Sequence, residues 1–281
     1  MNPARVVDDA RGRHSMRSAP TAMGGAGPAD IMSPLWRYSM RVLMVGGAGG
    51  VGTMIRPALE ADHEVTVFDR VAVDGIGERS IVADTGDDEA VARAIVGVDA
   101  VIYMPMGIGS NGDVSELDPA FDVNLRDFYR LLMHGFEAGV MRYVYTSSMS
   151  VHKNLWSIGR IDESRPPDEW HPYGMSKRLA ERLCAIAARR EPRATIVALR
   201  LSMPRTEDDI RKALRRRPVF SPATYTPTHD ARAIFLAALA CSRPGAHVVQ
   251  ATGDVEGKLY PNDRATELLG YRATGLRSIP R

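Results

Sequence analysis

The sequence predicts an α/β fold in which helices cover both faces of a doubly wound parallel β-sheet. Three observations support this prediction. Short apolar runs rich in β-branched residues alternate with amphipathic segments, a glycine-rich turn joins the first run to the first helix, and six such runs follow one another. Beyond Arg200 the alternation is looser, and the last 81 residues are predicted to form a small C-terminal annex over the sheet edge.

Each predicted element rests on its own local pattern. The runs that predict buried strands are residues 41–46, 64–69, 80–84, 99–104, 142–148 and 194–201. Helical spacing of apolar residues predicts helices at 51–61, 87–96, 118–139 and 173–190, the last two followed by Gly139 and Pro192. In the annex the same reasoning predicts helices at 206–217, 228–240 and 261–270 and a strand at 246–251.

Composition narrows the class of protein. Hydrophobic residues make up 44% and charged residues 25% of the 281 positions, as in ordinary globular proteins. A formal net charge of +2 gives no reason to expect nucleic acid or a membrane surface as a partner, and no apolar run reaches the length of a membrane span. The two cysteines form no metal-binding pattern, so we expect no metal site and a cytoplasmic location.

The first 39 residues differ from the rest. They mix Arg, Pro, Gly, Ala and Ser and lack the apolar core of a secretory signal. This composition predicts a disordered extension at 1–39, followed by one domain at 40–281. Met40, which opens the first strand pattern, is an alternative start of the chain.

A glycine-rich turn, VGGAGGVG at 45–52, connects the first predicted strand to the first helix. Gly46 would permit a tight turn, Gly49 the close approach of a pyrophosphate, and Gly52 the close packing of the helix. The amide groups at the helix start would then bind phosphate oxygens. A merely flexible turn is the alternative, but the strand before it and the helix after it favour nucleotide binding.

Asp69 ends the second predicted strand, 17 residues after Gly52. A carboxylate at this place can accept hydrogen bonds from the ribose hydroxyls of NAD, and it would repel the 2′-phosphate of NADP. NAD is therefore the predicted cofactor, while the neighbouring Arg70 keeps NADP as the alternative. Asp84, after the third strand, is a candidate for binding the adenine amino group, with a simple turn role as its alternative.

Tyr173 and Lys177 lie four residues apart in a predicted helix, so their side chains share one face. A nearby ammonium group favours the phenolate and lowers the pKa of a tyrosine from about 10 toward neutrality. Such a tyrosine can exchange a proton with a hydroxyl or carbonyl group. Ser148, at the carboxyl end of the fifth strand, would hydrogen-bond the same oxygen. Tyr–Lys pairs also occur on solvated helices, and the alternative serine is Ser147.

Taken together, these residues resemble the extended short-chain dehydrogenase/reductases, the NAD-dependent epimerase/dehydratase family. The resemblance extends from residue 41 to about residue 270 and is carried by the glycine turn, Asp69, Asp84, Asn124, Ser148, Tyr173 and Lys177. It implies a Rossmann-type fold with a substrate-binding part mainly at 201–281. It also implies a homodimer formed through the helices predicted at 118–139 and 173–190.

The resemblance further implies an activity. Tyr173 would be the general acid/base of an oxidoreductase or epimerase that acts on a secondary hydroxyl or carbonyl of a sugar-like molecule. Lys177 would also hold the nicotinamide ribose. Asn124 would stabilise the local backbone or a water path, its alternative being an ordinary polar residue on a long helix. The implied cofactor contacts are Gly46, Gly49, Gly50, Val51, Gly52, Asp69, Arg70, Asp84, Thr85, Met104 and Lys177.

The substrate side is less well defined by the sequence. Met149-Ser150 stand where 4,6-dehydratases carry an Asp-Glu pair, which disfavours a dehydratase. The short C-terminal part resembles that of uronate dehydrogenases, where an arginine beyond the sixth strand binds the substrate carboxylate. Arg211 is the candidate for this role and Met149 for a further substrate contact, although Arg211 also fits an exposed charged helix face. A non-catalytic dinucleotide-binding sensor of the same fold is the second functional hypothesis, against which the Tyr173–Lys177 pair argues.

Overall fold

A computed structural model describes residues 39–108, 113, 115–155, 159–216 and 221–278. The disordered extension predicted at 1–39 therefore lies, apart from Ser39, outside the described residues. Among the described residues, no helix combines the length and the apolar character needed to cross a membrane.

The described part of the chain contains a seven-stranded sheet and a separate pair of short strands. In chain order the strands are β1 (Arg41–Val45), β2 (Glu64–Asp69), β3 (Ser80–Val82), β4 (Ala100–Tyr103), β5 (Arg142–Ser148), β6 (Thr195–Leu201), β7 (Pro204–Arg205), β8 (Thr226–Pro227) and β9 (Gly245–Ala251). The central sheet has the order β3-β2-β1-β4-β5-β6-β9, and every neighbouring pair is parallel. The predicted parallel sheet is therefore confirmed.

Helices connect these strands and cover the sheet on both faces. They are α1 (Gly50–Glu60), α2 (Asp88–Ala94), α3 (Leu117–Phe121), α4 (Phe128–Glu137), α5 (Pro172–Arg190), α6 (Glu207–Arg216), α7 (Thr228–Ala240) and α8 (Asp263–Leu269). One apolar cluster packs α1 and α7 on one face, and a second packs α2, α4 and α5 on the other. Adjacent residues of β1 point into different clusters, Met44 into the first and Leu43 into the second. Strands buried on both faces in this way explain the continuous apolar runs in the sequence.

The strand predicted at 246–251 lies in the central sheet rather than in a separate annex. Strand β9 pairs in parallel with β6 along its whole length, from Thr195 opposite Gly245 to Leu201 opposite Ala251. Without β9, the buried strand β6 would leave its backbone amide and carbonyl groups unpaired at a sheet edge. The need to satisfy those groups draws part of the predicted annex into the main sheet.

The helix predicted at 118–139 is interrupted. A π-helical segment at Asp122–Asp127 separates α3 from α4, and the buried Asn124 lies within it. A π-helical turn is closed by a hydrogen bond between residues five apart instead of four, so it holds about one extra residue. The apolar spacing in the sequence was interpreted with the period of an α-helix and did not reveal this extra residue. Such wider turns are frequent at functional sites.

The parallel arrangement puts the carboxyl ends of the strands at one edge of the sheet. The glycine turn follows β1, Asp69 ends β2, Met104 follows β4, and Ser148 ends β5. Residues that are about 100 positions apart in the sequence therefore come together at this edge, where ligands of open α/β sheets bind.

Candidate functional site

Two glycines in the turn after β1 are required by the backbone. Gly46 has φ +78°, and a Cβ there would lie 2.9 Å from the amide nitrogen of Pro105. A Cβ on Gly52 would lie 2.2 Å from the carbonyl oxygen of Gly47. The turn is thus closed so tightly that side chains at these two positions would force the backbone apart.

The start of α1 offers hydrogen-bond donors to a ligand. The helix begins at Gly50 after the N-cap Gly49, and the amide groups of its first turn have no carbonyl partner within the helix. A Cβ built on Gly50 would meet nothing within 4 Å, so the backbone is open to a ligand at that residue. Val51 and Gly52 complete the first turn. Open amide groups at the positive end of a helix fit the phosphates of a dinucleotide.

Asp69, at the end of β2, forms hydrogen bonds that hold the glycine turn in place. One carboxylate oxygen accepts the amide of Ala48 at 2.9 Å, and the other accepts the amide of Val71 at 3.2 Å. In addition to its predicted role toward the ribose, Asp69 therefore stabilises the turn through hydrogen bonds within the chain. The neighbouring Arg70 is exposed.

The segment after β3 contains the next two predicted cofactor residues. Asp84 accepts the amide of Gly86 at 2.8 Å, which is the turn role given as its alternative. The Thr85 hydroxyl donates to the carboxylate of Asp127 at 2.8 Å. Asp127 is buried in the π-helical segment, and no sequence motif had indicated it.

Tyr173 lies in the first turn of α5, where the Ser148 hydroxyl is close enough to the phenol to lower the pKa of Tyr173. Ser148 also accepts the amide of Ser150 at 3.1 Å. The other candidate, Ser147, instead donates to Glu181 at 2.7 Å. A Cβ on Gly174 would lie 2.2 Å from the carbonyl oxygen of Ser150, so α5 packs directly on the segment after Ser148.

Lys177 is buried one turn further along α5. Its Nζ donates to the carbonyl oxygens of Pro105 at 2.9 Å and Thr146 at 3.0 Å. The same atom lies 4.9 Å from the ring centre of Tyr145 and 5.9 Å from that of Tyr173. Burial lowers the pKa of Lys177 to about 7.

The expected lowering of the Tyr173 pKa is wrong for this structure. Burial raises the pKa of Tyr173, and the nearby Ser148 hydroxyl opposes this rise. Lys177 is itself only partly protonated near neutral pH and points at two backbone carbonyls. Its charge therefore stabilises the phenolate less than the helical spacing suggested.

Asn124 connects the π-helical segment to the first turn of α5. Its amide group donates to the carbonyl oxygen of Met106 and to the Ser176 hydroxyl, both at 3.0 Å. Ser176 in turn donates to the carbonyl oxygen of Tyr173 at 2.9 Å. Asn124 thus contacts the backbone near Tyr173 through Ser176. Stabilisation of the local backbone was one of the two roles that the sequence suggested for Asn124.

The two residues predicted to contact substrate have different surroundings. Met149 is buried and packs with Ile161 and Tyr260. Arg211 lies on α6, where its guanidinium bonds the Asp208 carboxylate at 3.0 Å. This pairing matches the charged helix face that was the alternative interpretation of Arg211.

A cavity of about 710 Å³ lies in the C-terminal part of the described chain. One of its lining residues, Leu259, also packs against the apolar cluster formed by Met149, Ile161 and Tyr260. The lining comprises Ser221, Pro222, Ala223, Gly253, Asp254, Val255, Glu256, Lys258, Leu259 and Leu276. No group of His, Cys, Asp or Glu among the described residues is arranged to hold a metal ion.

Comparison with known proteins identifies the domain. The model of the NAD dependent epimerase/dehydratase family matches residues 42–209. A 3-beta-hydroxysteroid dehydrogenase of Mycolicibacterium neoaurum is 34% identical over 45% of the chain and 37% of its own length. An L-arabinose 1-dehydrogenase (NAD(P)(+)) of Haloferax volcanii is 27% identical over 62% of the chain and 71% of its own length. The aligned part thus spans well under half of the first relative and about seven tenths of the second.

Solved structures with a similar fold are also known. The crystal structure of a glucuronic acid dehydrogenase from Chromohalobacter salexigens superimposes with a TM-score of 0.69 at 23% identity, covering 84% of each chain. This similarity confirms the predicted Rossmann-type fold and the structural likeness to uronate dehydrogenases.

The turn after β1 gives a stability prediction with a matched control. We expect Gly52→Ala to lower the free energy of unfolding by about 1–3 kcal/mol, because the new methyl group overlaps the Gly47 carbonyl. Gly50→Ala should leave it nearly unchanged, because that methyl group meets no atom within 4 Å. Urea-induced unfolding of both variants measures the difference, and equal stabilities would contradict the described packing.

Proposed function

Because the chain belongs to the NAD-dependent epimerase/dehydratase family, we propose that it is an NAD-dependent oxidoreductase or epimerase. Its substrate would be a sugar-like molecule with a secondary hydroxyl or carbonyl group. The observation that carries this proposal is the Ser148 hydroxyl beside the Tyr173 phenol at the carboxyl edge of the sheet, with buried Lys177 one turn further along α5. The named activities of the two relatives, both dehydrogenases, support it.

The residues at the sheet edge fit a nicotinamide dinucleotide. The open amide groups at the start of α1 would bind the pyrophosphate, and Asp69 would accept the ribose hydroxyls nearby. In its protonated form Lys177 has a third N–H beyond the two that bind Pro105 and Thr146, and that donor would be available to the nicotinamide ribose. Met104 follows β4 directly, and its backbone lies next to the turn, since a Cβ on Gly46 would come within 3.2 Å of the Met104 carbonyl carbon.

Tyr173 would be the residue that transfers the proton. In the oxidation direction, the phenolate oxygen of Tyr173 would take the hydroxyl proton, while Ser148 hydrogen-bonds the same substrate oxygen. The nicotinamide, when bound, accepts the hydride from the adjacent carbon. In the reduction direction Tyr173 returns the proton. Because burial raises the pKa of Tyr173, the phenol is the resting form in the ligand-free protein, and the positive nicotinamide ring would favour its ionisation.

Dehydrogenase and epimerase activities differ in the fate of the hydride. A dehydrogenase releases NADH, whereas an epimerase returns the hydride to the other face of the substrate and shows no net NADH. A non-catalytic dinucleotide sensor is the competing hypothesis. The placement of Ser148 beside Tyr173 favours an enzyme over this sensor, which would have no use for the two residues.

Turnover is tested with NAD and a panel of aldoses, uronic acids, nucleotide sugars and 3β-hydroxysteroids. We expect at least one sugar-like substrate to be oxidised or epimerised, followed by absorbance at 340 nm and by product chromatography. Tyr173→Phe should lower kcat by about a hundredfold or more, because it removes the proton-transfer group. The control is Tyr271→Phe, since the buried Tyr271 hydroxyl makes no hydrogen bond to the described residues.

Each hypothesis has its own failing result. Full activity in Tyr173→Phe would refute the proposed mechanism. Tight NAD binding without turnover of any panel member would favour the sensor. Turnover of the steroid alone would refute a sugar-like substrate.

Cofactor preference follows from the charge of Asp69. We expect NADP to bind at least about tenfold more weakly than NAD, because its 2′-phosphate would face the carboxylate. Asp69→Asn should narrow this difference while keeping an acceptor for the Ala48 amide. Arg70→Ala should leave NAD binding unchanged. Calorimetric titration with both nucleotides measures these affinities, and equal binding of NAD and NADP by the wild type would refute the preference.

We also propose a homodimer formed through α4 and α5. Each of these helices carries a large apolar side chain that is about half-exposed, Tyr129 and Ile186 respectively. Ile186→Glu should shift the protein toward the monomer in sedimentation equilibrium, because it places a charge in the apolar interface. Val96→Glu, at an exposed site outside these helices, is the control. A wild-type monomer, or a dimer unaffected by Ile186→Glu, would refute this interface.

A further inference from the structure

The helix face that carries Tyr173 and Lys177 continues to a third polar residue. Glu181 follows Lys177 after four positions, so the three side chains lie in one row along α5. Like Lys177, Glu181 is buried. It contacts neither the cofactor turn nor Tyr173, so the proposed proton transfer does not explain why a carboxylate is buried there.

Glu181 forms a two-pronged ion pair with Arg200 of β6. The Nε and Nη2 atoms of Arg200 donate to the two carboxylate oxygens, each at 2.8 Å. The two side chains are only 6% and 4% exposed. A paired guanidinium and carboxylate with two parallel hydrogen bonds fix direction as well as distance.

The remaining terminal nitrogen of Arg200 reaches the segment after Ser148. Its Nη1 lies 3.2 Å from Nε2 of His152, which is also buried. A guanidinium has donors only, so Nε2 must be the acceptor and the imidazole is neutral with its proton on Nδ1. Burial and the charge of Arg200 lower the pKa of His152 to about 4, which agrees with this assignment.

The end of β5 is attached to the same group. Ser147, the residue before Ser148, donates to Glu181 at 2.7 Å. Arg200 and Glu181 therefore connect α5 with both the residue before Ser148 and the segment after it. The two elements that carry Tyr173 and Ser148 meet at one buried ion pair.

From this geometry we propose that Glu181, Arg200 and His152 are positioning residues that hold Tyr173 in register with Ser148. The inference rests on the proposed role of Tyr173 in proton transfer. A shift of α5 by one residue would move a side chain by about 1.5 Å along the helix and by about 100° around it, which would carry the Tyr173 phenol away from Ser148. Stability alone does not explain the pair, since apolar residues of similar volume often replace a buried ion pair without loss of stability.

The decisive variant replaces both charges, Glu181→Met together with Arg200→Met. We expect a melting temperature close to that of the wild type, because no charge is left unpaired. We expect kcat to fall at least about tenfold, as misplacement of reacting groups does, with the KM for NAD within about twofold. The acidic limb of the pH profile of kcat should move to higher pH, because the Ser148 hydroxyl lowers the pKa of Tyr173 when it lies nearby.

Two further variants distinguish the positioning role from a general effect on core packing. His152→Phe removes the acceptor for Arg200 and keeps the ion pair, and it should also lower kcat. His152→Gln, whose amide oxygen can accept, should restore part of the activity. The matched control is Glu89→Met with Arg93→Met, an exposed pair on α2, which should change nothing.

Crystal structures of the wild type and the double variant give a readout that needs no turnover. The distance between Ser148 Oγ and Tyr173 Oη should be longer in the double variant than in the wild type. If this distance and kcat are both unchanged, the positioning role is overturned. If the double variant does not fold, a wild-type distance and wild-type kcat in His152→Phe overturn the role in the same way. A longer distance with unchanged kcat supports positioning and refutes proton transfer by Tyr173 instead.

Discussion

Parallel pairing of β1, β4 and β5 is the constraint on which the rest of the structure depends. Val45 lies opposite Tyr103, and Tyr103 lies opposite Tyr145, so β1 and β4 end at the same level while β5 continues for three more residues to Ser148. This register puts the glycine turn and Ser148 at the same edge of the sheet, although they are far apart in the sequence. A change of register by one residue would also exchange the two faces of a strand, which both apolar clusters resist.

Lys177 depends directly on that pairing. Its two acceptors are the carbonyls of Pro105 and Thr146, the first after β4 and the second near the end of β5. A buried ammonium group is costly unless it is hydrogen-bonded. The carbonyls of Pro105 and Thr146 provide the hydrogen-bond acceptors that the Lys177 ammonium needs. The cost that remains appears as the lowered pKa of Lys177, and this explains why the Tyr173 pKa is set by burial and Ser148.

Local patterns predicted what depends on local chemistry. Apolar periodicity gave the strands, most helices and the parallel sheet, and spacing together with family resemblance gave the pairing of Tyr173 with Ser148. The contacts that were missed join residues far apart in sequence, such as Glu181 with Arg200 and Thr85 with Asp127. No spacing encodes such pairs. The π-helical segment escaped notice because one extra residue in a turn leaves the apolar pattern on either side unchanged.

The two halves of α5 are held by different kinds of interaction. Its first three turns are fixed by directional hydrogen bonds through Ser176, Lys177 and Glu181, whereas its last turns pack through Cys184, Ala187 and Ala188 in the apolar cluster. Apolar packing tolerates small shifts and substitutions of similar volume, while a hydrogen bond fails when its atoms move by about 1 Å. The polar contacts are concentrated around Tyr173, where position must be most accurate. The helix therefore gains its general placement from apolar burial and its accuracy at the site from buried polar groups.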